Sequence, residues 1–157
     1  MSSLDAVLQV AMLNAAYARC IDADRLEAWP DFFLDPCLYK VTTEENLAQG
    51  YDTGIIYADT RAMLVDRITA LRNANIYEQH RYRHLLGMPA ILAEDGDALQ
   101  AETPFAVFRI MRDGSSSVFL TGRYLDRLRR EGKDIKIAER IVACDSSTID
   151  TLLVIPL

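Results

Sequence analysis

Two histidines, His80 and His84, stand four residues apart in the run Asn75-Ile76-Tyr77-Glu78-Gln79-His80-Arg81-Tyr82-Arg83-His84. On a helix that spacing puts two imidazoles on one face, where they could share a metal ion as in the H-E-x-x-H pattern. On a strand the same step spans ~13 Å, while a zinc–nitrogen bond is only ~2 Å long. One ion then cannot bridge the pair. Tyr82 and the two-residue period that begins at residue 81 make a strand at least as good a reading, and no third ligand is evident nearby. A facial triad of two histidines and a carboxylate would need this same pair, because the chain has no other histidine.

Arg81, Tyr82, Arg83 and His84 suggest another use. Arginine and tyrosine combine contact area with directed hydrogen bonds and are enriched at protein interfaces. Residue type alone fits a partner contact and a core-lining strand with polar edges equally well. The wider search for chemistry returns little. There is no G-x-S-x-G, no P-loop, no G-x-G-x-x-G, and no Cys-x-His pair of the kind that holds a Rieske cluster. Cys20, Cys37 and Cys144 are odd in number and far apart, and read as reduced core thiols. Asp66, Arg67 and Arg72 fit a solvated helical face with ordinary ion pairs. Arg123, Asp126, Arg127, Arg129, Arg130 and Glu131 read as a solvated strand end. If the chain were a free-standing acid–base enzyme with an apolar cavity, Tyr17, Asp31, His84 and Tyr124 would be the candidates.

These side chains need elements to hold them. The 157 residues fit one domain with a real core, half of them apolar and a quarter charged. A net charge of −6 argues against nucleic acid and against an anionic membrane surface. The first residues lack a basic signal region, and no apolar run approaches the ~20 residues of a membrane span, so the cytoplasm is expected. Leu4, Val7, Leu8, Ala11, Ala15 and Ala18 repeat at helical spacing, and Val10, Leu13, Tyr17 and Ile21 widen the arc. So wide an apolar arc predicts a helix that is largely buried. A short second helix capped by Asp22 or Asp24 should run through Glu27 and stop at Trp29-Pro30. Residues 37–42 predict a strand, and 44–59 irregular chain with turns at Gly50 and Gly54. A helix capped by Asp59 or Thr60 should turn Met63, Leu64, Ile68 and Leu71 inward. Strands are then predicted over 81–93, 98–112, 117–130 and 134–145, with a last apolar piece at 152–155. Asp95-Gly96, Asp113-Gly114 and Glu131-Gly132 mark the turns. Helices followed by long hairpin-linked strands predict an α+β fold, a curved antiparallel sheet wrapped over helices. That architecture is similar to the cone shared by nuclear transport factor 2 and ketosteroid isomerase (NTF2-like, cystatin-like).

Asp66-Arg67-Ile68-Thr69-Ala70-Leu71-Arg72, Asn75-Ile76-Tyr77, Tyr82-Arg83-His84, Trp29-Pro30-Asp31-Phe32-Phe33 and the stretch from Ala138 through Arg140 to Asp145 carry a family likeness. In that order and spacing they resemble the small (beta) subunits of aromatic-ring-hydroxylating dioxygenases. The residues from Asn14 to Ala18, the block around Ala74 to Glu78 and the stretch from Cys144 onward resemble the subgroup acting on aromatic carboxylates such as terephthalate. Small subunits of salicylate and halobenzoate systems are similar too. Leu85-Leu86-Gly87 stands where many members have a polar pair. The resemblance implies a single NTF2-like domain over 1–157 that binds no metal, and it tips Arg81, Tyr82, Arg83 and His84 towards a partner interface outside catalysis. It also implies a large (alpha) subunit holding a Rieske [2Fe–2S] centre and a mononuclear non-haem iron. A reductase would supply that subunit with electrons from NAD(P)H, and the small chains would self-associate as a trimer within an alpha3beta3 assembly.

Overall fold

The structure, a computed structural model, describes residues 3–50, 54–74, 80–147 and 155–157. Helix α1 (Ser3–Asp22) opens the chain. Its inward side chains are Ala6, Val10, Leu13, Tyr17 and Ile21, all buried. Much of the other predicted stripe faces out: Leu4 and Leu8 are 74% and 57% exposed and Ala15 is exposed, although Ala18 is buried; Met12 beside them is 65% exposed. The helix lies on one sheet, so only one of its two apolar faces is covered.

The expected stop at Trp29-Pro30 does not occur. A 3-10 helix runs over Leu26–Phe32 with Pro30 inside it. Proline's fixed φ suits a helical turn, and a segment this short asks for few backbone donors. Strand β1 (Phe33–Thr43) therefore starts four residues earlier than predicted. Thr43 ends it and caps α2 (Glu44–Ala48), its hydroxyl accepting from the Asn46 N–H at 3.1 Å. Glu44 and Glu45 in the first turn suit the positive end of the helix dipole. The region predicted to be irregular thus holds α2 and the short strand β2 (Ile56–Ala58).

Thr60 caps α3 (Arg61–Asn73), which buries Leu64, Ile68 and Leu71. Met63, expected inside, is 38% exposed. The predicted strand 81–93 is two strands, β3 (His80–Leu86) and β4 (Ala90–Asp95), laid end to end along β5 (Ala98–Met111). Pro89 lacks a ladder donor, and the Gly87 backbone sits against Pro104, donating to its carbonyl at 2.8 Å. Strands β6 (Ser116–Glu131) and β7 (Asp134–Cys144) follow. The β4–β5 and β6–β7 hairpins each place a glycine of positive φ first in a two-residue loop, Gly96 at 59° and Gly132 at 62°. Glycine there gives a loop twist that matches its strands.

The sheet order is β2-β1-β7-β6-β5-β3, with β4 also on β5. It is mixed, not wholly antiparallel as predicted, because β1 and β7 run parallel from Leu38 opposite Glu139 to Thr43 opposite Cys144. Trp29, Phe33 and Tyr39 meet edge to face at 5.0–5.9 Å between ring centres. Tyr17, Tyr124 and Phe105 extend this aromatic core beneath α1. Of the predicted last strand, 152–154 lie outside the described residues, while Ile155 and Leu157 are buried. No described helix is long and apolar enough to cross a membrane.

Candidate functional site

Position parity on β6 governs what lies inside the sheet. Leu120, Gly122, Tyr124, Asp126 and Leu128 alternate inward. Asp126 is 4% exposed and directly opposite Arg140 of β7. The two form a bidentate ion pair, Arg140 Nε to Oδ1 and Nη2 to Oδ2, both at 2.8 Å. Nη2 also donates to Asn14 Oδ1 of α1 at 2.6 Å, and Asn14 in turn donates to Thr103 Oγ1 of β5 at 3.1 Å. The guanidinium carbon lies 4.3 Å from the Tyr17 ring centre and 4.1 Å from that of Tyr124. One arginine therefore joins α1, β5, β6 and β7 between two aromatic faces. Burial disfavours its charge, but Asp126 outweighs that and keeps the guanidinium above its ordinary pKa. Burial also raises the pKa of the Tyr17 and Tyr124 phenols.

The charge states of this interior cluster are fixed, although Arg140 Nη1 and the Tyr124 hydroxyl are buried without a hydrogen-bond partner among the described residues. Arginine does not release its proton, both Asp126 oxygens are engaged, and the phenols stay neutral at physiological pH. Among the acid–base candidates, Tyr17 and Tyr124 adjoin with ring centres 6.0 Å apart. Asp31 does not join them: it is exposed and pairs with Arg61 at 2.9 Å. His84 is buried elsewhere, its Nδ1 2.7 Å from Asp22 Oδ1, while its backbone N–H donates to Asp22 Oδ2 at 2.9 Å. Asp22 ends α1, so this contact pins the helix end to β3.

The segment that looked most chemical divides by parity. Tyr82 and His84 face inward at 3% and 6% exposure, whereas Arg81 and Arg83 face outward. Tyr82 stacks on Phe119 at 5.4 Å. Beside them a cleft of about 330 Å3 is lined by Asp22, Arg81, Tyr82 and Arg83 with Phe108, Ile110 and Ser116. Asn75 to Gln79 lie outside the described residues. The charge cluster expected to be a solvated strand end is partly wrong. Asp126 is core, and the Arg130 side chain is only 9% exposed, bound to Glu94 and Gln9. Arg72 does pair on the surface, with Asp24 and Glu27.

An iron centre does not fit the described residues. Cys20 donates its thiol proton to the Arg25 carbonyl at 2.9 Å. Burial pushes Cys37 up to about 11 and Cys144 up to about 12, so both remain thiols. Among the described residues no three His, Cys, Asp or Glu side chains gather as a metal site.

The profile of the ring hydroxylating beta subunit family matches residues 16–151. The chain belongs to that family. Relatives include subunit beta 1 of the terminal oxygenase component of terephthalate 1,2-dioxygenase from a Comamonas species. It is 49% identical over 150 residues, 96% of this chain and 97% of the relative. The anthranilate 1,2-dioxygenase small subunit of Burkholderia cepacia is 35% identical, covering 95% and 92% of the two chains. The crystal structure of the beta subunit of a candidate aromatic-ring-hydroxylating dioxygenase from Novosphingobium aromaticivorans superposes with a TM-score of 0.91. It is 38% identical and covers 99% of both chains. The fold of this beta subunit is accordingly the NTF2-like cone. The protein is a small subunit of an aromatic-ring-hydroxylating dioxygenase, an oxidoreductase of several components. Sequence reading missed Arg140 and Asp126 as the interior pair, although two-residue parity with Tyr124 and Leu128 places Asp126 inside.

Proposed function

We propose that this beta subunit forms one domain over 1–157 and supports the assembly of a cytoplasmic dioxygenase without performing chemistry itself. Its large alpha subunit would hold the Rieske [2Fe–2S] cluster and the mononuclear iron, and a reductase would deliver electrons to that subunit. Three copies of each chain would form an alpha3beta3 complex, and the substrate would be an aromatic carboxylate, terephthalate first. Support comes chiefly from 49% identity spread over almost the whole of both chains. The interior agrees with a supporting role, since its buried charges, Arg140 and Asp126, are committed to each other. Arg81 and Arg83 are the partner-facing members of the β3 segment. Tyr82 and His84 set that strand's position from within.

Reconstitution tests both halves of this reading. Purified with its cognate large subunit and reductase, the chain should restore terephthalate consumption and be required in equimolar amount. Turnover or stoichiometric iron in the chain alone would overturn the supporting role. A reconstituted complex that ignores terephthalate but oxidises another aromatic acid would overturn only the substrate.

A further inference from the structure

We propose that the hollow between the second half of α1, the 3-10 helix and β7 binds a small organic carboxylate with an apolar body. It has a volume of about 390 Å3, and its walls include the buried Cys20, the half-buried Phe32 and the exposed Ala16. Arg19, Arg25 and Lys136 stand around them. A volume near the lower end of ligand pockets, ~300–1,000 Å3, suits a single-ring acid better than a nucleotide.

The two arginines at the hollow are without a carboxylate partner, as are Arg67, Arg112, Arg127 and Arg129 elsewhere among the described residues. Arg61, Arg72, Arg123, Arg130 and Arg140 are each committed to a carboxylate. Arg19 and Arg25 pair with none among the described residues. Asp31 is the acid that borders the hollow, and Arg61 already neutralises it at 2.9 Å. The Asp31 backbone carbonyl accepts from Lys136 Nζ at 2.6 Å, which fixes the ammonium at the edge. In a chain of net charge −6 this is a local excess of positive charge over an apolar floor. A bare inorganic anion would leave the floor wet, and a neutral ring would leave the guanidiniums unpaired. An organic carboxylate satisfies both, with arginine able to grip it through two parallel hydrogen bonds. Such binding needs only this chain and is independent of the substrate handled by the large subunit.

The test is a titration of the purified full chain, labelled with 15N, using benzoate, cyclohexanecarboxylate, benzyl alcohol and sodium sulfate as probes. Benzoate should shift the Arg19 and Arg25 guanidinium signals and the Ala16 and Phe32 amides saturably, one per chain, with a Kd below about 1 mM. Cyclohexanecarboxylate should follow within about tenfold, while benzyl alcohol and sulfate should bind at least about tenfold more weakly. The double variant Arg19→Gln, Arg25→Gln should lose at least about tenfold in affinity with an unchanged circular dichroism spectrum. Ala28→Phe, which fills the hollow from the 3-10 helix, should abolish binding while keeping both arginines. Linear, unsaturable shifts, shifts centred elsewhere, equal binding of sulfate, or full affinity in either variant would each overturn the proposal.

Discussion

Arg140 shows what a single buried charge demands. Its ion pair with Asp126 lies wholly inside, so removing one member leaves the other stranded in an apolar space. Asp126→Ala or Arg140→Ala should each lower unfolding free energy by ~3–5 kcal/mol. A double replacement, Asp126→Leu with Arg140→Met, should recover much of that loss in urea denaturation. If the double variant is as unstable as the singles, the loss is not one of charge pairing. The interior phenols and thiols make a separate prediction. Tyr17, Tyr39, Tyr124, Cys37 and Cys144 all have pKa values raised mainly by burial. An acid held protonated in the folded state contributes fully below its unfolded pKa, and that contribution falls as pH rises towards the folded value. Stability should therefore hold steady below about pH 8.5 and decline through pH 9 to 12. A flat urea midpoint up to pH 11 would contradict it. These residues were only partly legible in the sequence. Parity could place Asp126 inside, but nothing local revealed that Arg140 waited opposite on the next strand, since cross-strand register comes from the whole sheet.

At the scale of elements, periodicity and turn chemistry were sound guides where they acted locally. Thr60 as the cap of α3 and the Asp-Gly and Glu-Gly turns follow from side-chain and backbone preferences within a few residues. The failures lie where distant contacts decide. The outward stripe of α1 looks the same in sequence as the buried one, because only the sheet chooses between them. The break between β3 and β4 depends on Gly87 meeting Pro104, seventeen positions away in sequence. Adding a methyl at Gly87 would drive it into the Pro104 ring, so Gly87→Ala should cost ~1–3 kcal/mol. Gly96 has open space around it but a φ of 59°, and Gly96→Ala should cost only ~1–2 kcal/mol through backbone strain. Thermal unfolding of the two variants distinguishes crowding from strain: an equal or inverted order would show that Pro104 yields.

For the whole molecule, the division of β3 between two faces lets an assembly role be tested apart from folding. Arg83→Ala changes an exposed side chain and should leave the isolated chain's stability within ~0.5 kcal/mol. It should nonetheless reduce the yield of complex with the large subunit. His84→Ala strips Asp22 of a buried partner and should destabilise the chain itself by ~1–3 kcal/mol. Ring hydroxylation per iron in whatever complex forms should change little in either case. A hundredfold fall in turnover at normal iron content would mean that the segment takes part in the reaction.

The parallel contact of β1 with β7 has a bearing on biosynthesis. Leu38 is paired with Glu139, about a hundred residues further along. At ~5–20 residues per second, the ribosome takes several seconds to deliver that neighbour. Throughout this interval one long edge of β1 lies open to other nascent chains, with only β2 against its far side. Chains halted before residue 134 should therefore bind holdase chaperones and clump at high expression, and release should coincide with emergence of β7 from the exit tunnel.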